Sequence, residues 1–174
     1  MDPKAPGPNV HYFMIRGGTQ RKNITIWQSG TVGGEYIKTY GHYHVKDFLE
    51  TYTVIAGEGI ILLQKRREDA DGNLLNDEVE YVKAIFVKAG SVVPIPNRAG
   101  HLAVNTGSSW LVTLDDSPVN FEKEKEAAWP VHADYESVKK MHGFAYYIVK
   151  KNGKPEFIKN SNYKNTPDII IENA

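Results

Sequence analysis

A chain of 174 residues without a single cysteine is long enough to bury a core as one domain, and it must do so without disulfides, thiolate metal sites or a cysteine nucleophile. Its 21 basic side chains are matched by 21 acidic ones, which excludes the global positive field that recruits nucleic acid or an anionic membrane. An acidic ligand must therefore be held locally, and any metal by imidazole and carboxylate.

The chain opens on "MDPKAPGPNV", three prolines in eight residues, which predicts an extended arm over residues 1–9 and no secretory leader. No apolar run approaches the roughly 20 residues needed to span a bilayer, so a cytoplasmic location is expected. From Val10 to Leu114 follow short β-branched and aromatic runs: "HYFMI", "NITIW", "EYIKTY", "ETYTVIAGEGIILLQ", "VEYVKAIFVKAG", "SVVPIP" and "WLVTL". Turn signals separate them at Gly17-Gly18, Gly33-Gly34 and Asp71-Gly72-Asn73, a spacing that predicts an antiparallel barrel or double-sheet sandwich. The dense charge run around Asp71-Gly72 reads as a solvated hairpin tip between two long strands. After Leu114 the text turns to mixed charge and alanine, with short helices expected over 121–128 and 135–141, ended by Pro130 and Gly143. "FAYYIVKKNGKPEFIKN" reads as a hairpin about Asn152-Gly153. With no internal repeat, residues 1–174 are expected to form one domain, its tail 115–174 folded over the barrel.

Within the strand-like stretch "TYGHYHVKDFLETY", His42 and His44 are two apart, so a strand turns both imidazoles to one face. Glu50 joins them if Lys46-Asp47 forms a bulge or turn that reverses its facing. His101, in "PNRAGHLAVN", is a fourth candidate. Three imidazoles and a carboxylate suit a divalent transition metal with positions left open for water or substrate.

These two segments resemble the two motifs of the cupin superfamily, G-x5-H-x-H-x3–4-E-x6-G and G-x5-P-x-G-x2-H-x3-N. The matching residues are His42, His44, Glu50 and Gly57, then Gly90, Pro96, His101 and Asn105. The resemblance implies an all-β, cupin-type double-stranded β-helix, or jelly-roll barrel, with short helices and a hairpin in the C-terminal tail. A narrower resemblance runs from about Thr25 onward, to the archaeal-type, cupin-fold glucose-6-phosphate isomerases. Their signature G-x-E-x3-T-x-G-H-x-H-x6–11-E-x-Y is met by Gly33, Glu35, Thr39, Gly41, His42, His44, Glu50 and Tyr52. The spacer before Glu50 is five residues here, Asn97 stands in place of a second proline, and "LDDSPVN" follows the last barrel strand.

This second resemblance implies an aldose–ketose isomerase acting on a phosphorylated sugar. His42, His44, Glu50 and His101 hold one divalent metal per chain, iron first among manganese, nickel and zinc. Glu50 is the catalytic base through a cis-enediol, with a metal-assisted hydride shift as the competing route. Thr25, Thr39 and the amide of Gly41 grip the phosphate, and Tyr52 and Tyr135 contact the sugar. A homodimer is expected, with no nucleic-acid or membrane partner. Lys38, Lys46 and Arg98 read as solvated, and His11 and His142 carry no signal. The altered tail around Asp115, Asp116 and His132 leaves a second function class open, a cupin that binds a sugar or sugar phosphate without turning it over. An iron-dependent dioxygenase would use the same ligands but leaves Thr25, Thr39 and Gly41 without a task.

Overall fold

The computed structural model describes residues 4–18, 20, 22–44, 49–117 and 133–174. Its strands, in chain order, are β1 (Tyr12–Ile15), β2 (Asn23–Trp27), β3 (Thr31–Val32), β4 (Glu35–Tyr36), β5 (Tyr43–His44), β6 (Glu50–Ala56), β7 (Glu58–Glu68), β8 (Leu74–Lys88), β9 (Val92–Ile95), β10 (Ala99–Asn105), β11 (Leu111–Asp115) and β12 (Ala133–Asp134). Helix α1 (Glu136–Lys140) and strands β13 (Tyr146–Lys151), β14 (Lys154–Lys159) and β15 (Ile170–Asn173) complete it. The helix expected over 121–128 falls outside the described residues. Among the described residues no helix is long and apolar enough to cross a membrane.

Two sheets face each other. One runs β1-β2-β11-β6-β9, and the other β10-β7-β8-β15, extended beyond β10 by the segment 37–44 through bridges at Lys38–Val104 and His42–His101. Successive segments change sheet: β2 to 37–44, β6 to β7, β8 to β9 and β10 to β11. That alternation is the double-stranded β-helix of a jelly roll, the fold expected from the sequence. Its hairpins sit where glycine allows a left-handed backbone, as at Asn152 (φ 52°) and Gly153 (φ 78°) between β13 and β14.

Alternation of side chains along the strands builds two cores. Inside the barrel lie Trp27, Ile37, Val54, Ile61, Val93, Ala103 and Leu111. On the other side of the second sheet, Tyr36, Tyr43, Ile60, Leu62 and Val104 pack under Val138, Met141, Phe144 and Ile148 of the tail. Gln64 ties that layer together: its Nε2 donates to the Tyr43 and Tyr163 hydroxyls, and its Oε1 accepts from the Ala145 amide. The outer face of the first sheet is apolar yet open, with Phe13, Ile15 and Val92 about half exposed. β15 was not anticipated from the sequence. It lies parallel on β8 in four residues with no hairpin partner, so no turn signal announces it.

Phe144 is 1% exposed in the outer core, far from the lumen side of β10. Phe144→Ala is expected to lower stability by about 3–5 kcal/mol, read as a shift of the urea midpoint.

Candidate functional site

The segment 37–44 carries an irregularity that decides what points inward. Between the Lys38–Val104 and His42–His101 bridges, four steps on one strand pass three on the other, a β-bulge. Gly41 makes it possible at φ +84°, and a Cβ there would meet Phe144 Cε1 at 2.9 Å and Leu102 Cβ at 3.1 Å. The extra residue reverses side-chain parity. Ile37 faces the barrel core before the bulge, while His42 and His44 converge with His101 after it and Tyr43 goes to the outer core. The bulge also costs the Ala103 N–H a regular backbone acceptor, and this amide donates instead to Thr39 Oγ1 at 3.1 Å. Thr39 and Gly41, two of the three residues expected at the phosphate, thus have a task in the backbone.

His42, His44 and His101 bring one ring nitrogen each within 4.8 Å of one another. Their ring centroids are 4.5 Å (His42–His101), 4.9 Å (His44–His101) and 5.3 Å (His42–His44) apart. Glu50 comes from the opposite sheet, and its Oε2 stands 3.2 Å from His44 Nε2 and 3.1 Å from His101 Nε2. It reaches the cluster because β6 faces back across the lumen; the Lys46-Asp47 bulge expected from the sequence lies outside the described residues. His44, Glu50 and His101 are 6%, 2% and 1% exposed.

Burial would raise the Glu50 carboxyl, but the attraction of His101 and His44 outweighs it and holds the group well below the usual carboxylate range. Glu50 Oε2 and His101 Nε2 meet each other only at ion-pair distance, and His101 Nδ1 has no hydrogen-bond partner among the described residues. Buried polar atoms left so cost about 1–3 kcal/mol each. The donor set, three imidazoles and one carboxylate converging in the lumen, fits a divalent transition ion.

Around the cluster, Tyr52 sets its ring edge-on to His101 at 5.6 Å, and burial pushes its hydroxyl well above the usual tyrosine value. Tyr135, half-buried, lies 5.3 Å from the His42 ring and 6.0 Å from Tyr40. Thr25 is buried on β2, in register with Thr113. A cavity of about 410 Å³ adjoins Thr39 and Tyr40 and is walled by Tyr12, Glu35 and Lys38. There Lys38 is not a free solvated charge: its Nζ stands 3.7 Å from the buried Glu35.

Sequence reasoning missed a polar row in the lumen. Asn23 Nδ2 donates to Asp115 Oδ1 at 2.7 Å, and Ser117 donates to the same oxygen through its amide (3.2 Å) and hydroxyl (2.5 Å). Thr113 Oγ1, fully buried, has no partner among the described residues. A signal was available. In "NITIW" and "WLVTLD" the polar residues share parity with Trp27 and Leu111, and the aliphatic ones take the outer face. His132 lies outside the described residues.

A jelly roll with His42-x-His44, Glu50 and His101 gathered in its lumen is a cupin. A profile of the family Glucose-6-phosphate isomerase (GPI) matches residues 13–166. The glucose-6-phosphate isomerase of Thermococcus onnurineus (strain NA1) is 33% identical over 143 residues, which cover 80% of this chain and 62% of that protein. The enzyme of the same name from Pyrococcus horikoshii is 31% identical over 144 residues, covering 81% and 63%. The chain belongs to the glucose-6-phosphate isomerase family, and it spans about 62% of the length of these relatives. Solved structures overlap it loosely, for example the capsular polysaccharide assembling protein CapF from Staphylococcus aureus (TM-score 0.42, 17% identity, 68% of this chain and 32% of that one).

Gly41→Ala is expected to cost about 1–3 kcal/mol, because a Cβ is strained at this φ and meets Phe144. By displacing His42 it should weaken Zn²⁺ binding about tenfold, read by calorimetric titration. Asp115 behaves oppositely to Glu50: burial first, then repulsion from Glu50, raises its carboxyl above the unfolded value of 3.8. A raised acid favours the folded state below the unfolded value and loses that contribution as pH rises through the folded one. Asp115→Asn should therefore melt later than the parent near neutrality, with the gap closing below pH 3.8.

Proposed function

We propose that the protein interconverts glucose 6-phosphate and fructose 6-phosphate. The observation that carries this reading is the convergence of His42, His44, His101 and Glu50 in the lumen of a chain from the glucose-6-phosphate isomerase family. In this reading the four residues hold one divalent metal, iron first, with manganese, nickel and zinc as the other ions such donors accept. When bound, the ion supplies Lewis-acid polarisation and orientation of the sugar's C1 and C2 oxygens.

The chain's own groups do the rest. Glu50 is ionised at neutral pH and so is ready to accept the C2 proton and return it to C1, with a cis-enediol between the two transfers. The imidazoles that keep it ionised also lower its basicity, so the transfer uses a carboxylate partly released from them. Tyr52 donates its hydroxyl to the sugar, and Tyr135 closes the pocket over His42. Thr25, Thr39 and the Gly41 amide hold the phosphate. The Thr39 hydroxyl can serve both purposes, since it accepts from Ala103 and keeps its own proton to donate.

The enzyme acts in the cytoplasm as a homodimer in this proposal. Support for a second copy comes from the outer face of the first sheet, where Phe13 pairs with Ile26 and Ile15 with Ile24, continued by Val112 and Leu114. Among the described residues the strand positions of that face carry no charged side chain, and Asp116 stands at its rim, so apposing the face to itself brings little like-charge repulsion.

A coupled assay on the protein as purified tests the activity. Turnover of glucose 6-phosphate should be lost on chelation and restored by added metal. His42→Ala should lower kcat/KM by about 100-fold or more, the equivalent of a few kcal/mol of transition-state stabilisation. Thermal stabilisation by the phosphosugar with no product at any metal loading would favour the non-catalytic sugar-phosphate-binding cupin instead.

A further inference from the structure

The segment that carries Tyr135 has little to hold it in place by itself. β12 is two residues long and pairs Ala133 with His44 and Asp134 with Tyr43. α1 has five residues and its N-cap residue, Tyr135, makes no side-chain cap bond, and neither element is stable alone. What fastens this segment lies on the far side of β5 from the lumen.

Arg66 sits on β7, where the register to β8 slips, and it is 9% exposed. It shares parity with Ile60, Leu62 and Gln64, which face the tail. Its guanidinium carbon is 4.1 Å from the centroid of the Tyr43 ring. Nη1 lies 3.3 Å from Asp134 Oδ2 and donates to Asn76 Oδ1 at 3.0 Å. Asp134 in turn accepts from the amides of Glu136 (3.0 Å) and Ser137 (3.5 Å) and from the Ser137 hydroxyl (3.2 Å). One planar cation thus grips the tyrosine between His42 and His44 and also the carboxylate that precedes Tyr135. A guanidinium can stack and donate at once; an ammonium has no planar face to stack.

We propose that Arg66 is a positioning residue, clamping Asp134 to the back of Tyr43 and so fixing Tyr135 over the His42 ring. The inference rests on reading Tyr135 as a wall of the phosphosugar pocket. Arg66 acts through Asp134 and Tyr135, so its loss should be felt in substrate binding more than in the chemical step. It should also matter only while Tyr135 is present.

The test has two arms. In metal-free protein, amide hydrogen exchange over 133–142 should quicken about tenfold in Arg66→Met, by loss of a local coupling, while the amides of β10 and β11 keep their rates. In the metal-loaded enzyme, Arg66→Met should raise KM for glucose 6-phosphate about tenfold with kcat within about twofold. Added to Tyr135→Ala, the same change should cost less than about twofold. Arg66→Lys should recover only part of the loss, and Asp134→Asn, which weakens the same pair from its more exposed end, replaces Arg66→Met if that variant does not fold. Unchanged exchange over 133–142, or losses that multiply fully in the double variant, would overturn the clamp. If the parent enzyme turns over no phosphosugar, the isomerase reading falls, and the exchange arm still decides the clamp.

Discussion

The lumen of this barrel is assembled around a single reversal of side-chain parity at Gly41. A regular strand from Ile37 to His44 would have to choose: either Ile37 packs the barrel core or the two histidines enter it, because seven residues apart they face opposite ways. The bulge removes the choice by absorbing one extra residue against β10. A left-handed backbone at Gly41 then serves both sides of the sheet, giving room to Phe144 outside and turning the imidazoles inward. The threonine two positions earlier stands in for a missing carbonyl. The T-x-G-H-x-H pattern is thus legible as a backbone device as well as a set of candidate ligands, and its three parts depend on one another.

The electrostatics of the lumen follow from what that device admits. Two buried carboxylates share the space and are driven in opposite directions. Glu50 faces imidazoles and stays charged, whereas Asp115, pushed up by burial and then by repulsion from Glu50, holds its charge with difficulty, although Asn23 and Ser117 crowd three donors onto one of its oxygens. Such divergence is what sets acid and base apart in enzyme sites. The Asp115 side of the lumen is built apart from the histidine motifs, since the residues that support it lie on β2 and after β11.

Much of this was readable in the amino-acid text. Strand runs and turn glycines located the barrel, Asp71-Gly72 and Asn152-Gly153 marked their hairpins, and the i, i+2 histidines do converge with His101. What escaped reading has a common physical reason: it depends on which strand lies opposite which. Glu50 enters the lumen from the sheet that faces the histidines, and the bulge or turn expected at Lys46-Asp47 lies outside the described residues. Asn23 and Asp115 meet only through the pairing of β2 with β11, ninety-two residues apart. Arg66 looked like one more charge in a solvated hairpin, and its burial follows from the return of Asp134. Gly41 was read only as a place for phosphate to approach, and the further contact its missing Cβ spares, with Phe144 and Leu102, depends on what the tail lays behind the strand.

The parallel strand β15 bears on how the chain reaches this state. It covers the outer edge of β8, a strand of fifteen residues whose free N–H and C=O groups would otherwise be a template for another chain. Its partners Lys83 to Phe86 lie about 87 residues earlier in the chain, so during synthesis or refolding that edge stands open until β15 docks. Barrels dominated by such distant pairings fold slowly, and aggregation competes with folding for as long as an edge is bare. Strand β15, which contributes nothing to the histidine cluster, thus governs the yield of folded protein more than its chemistry.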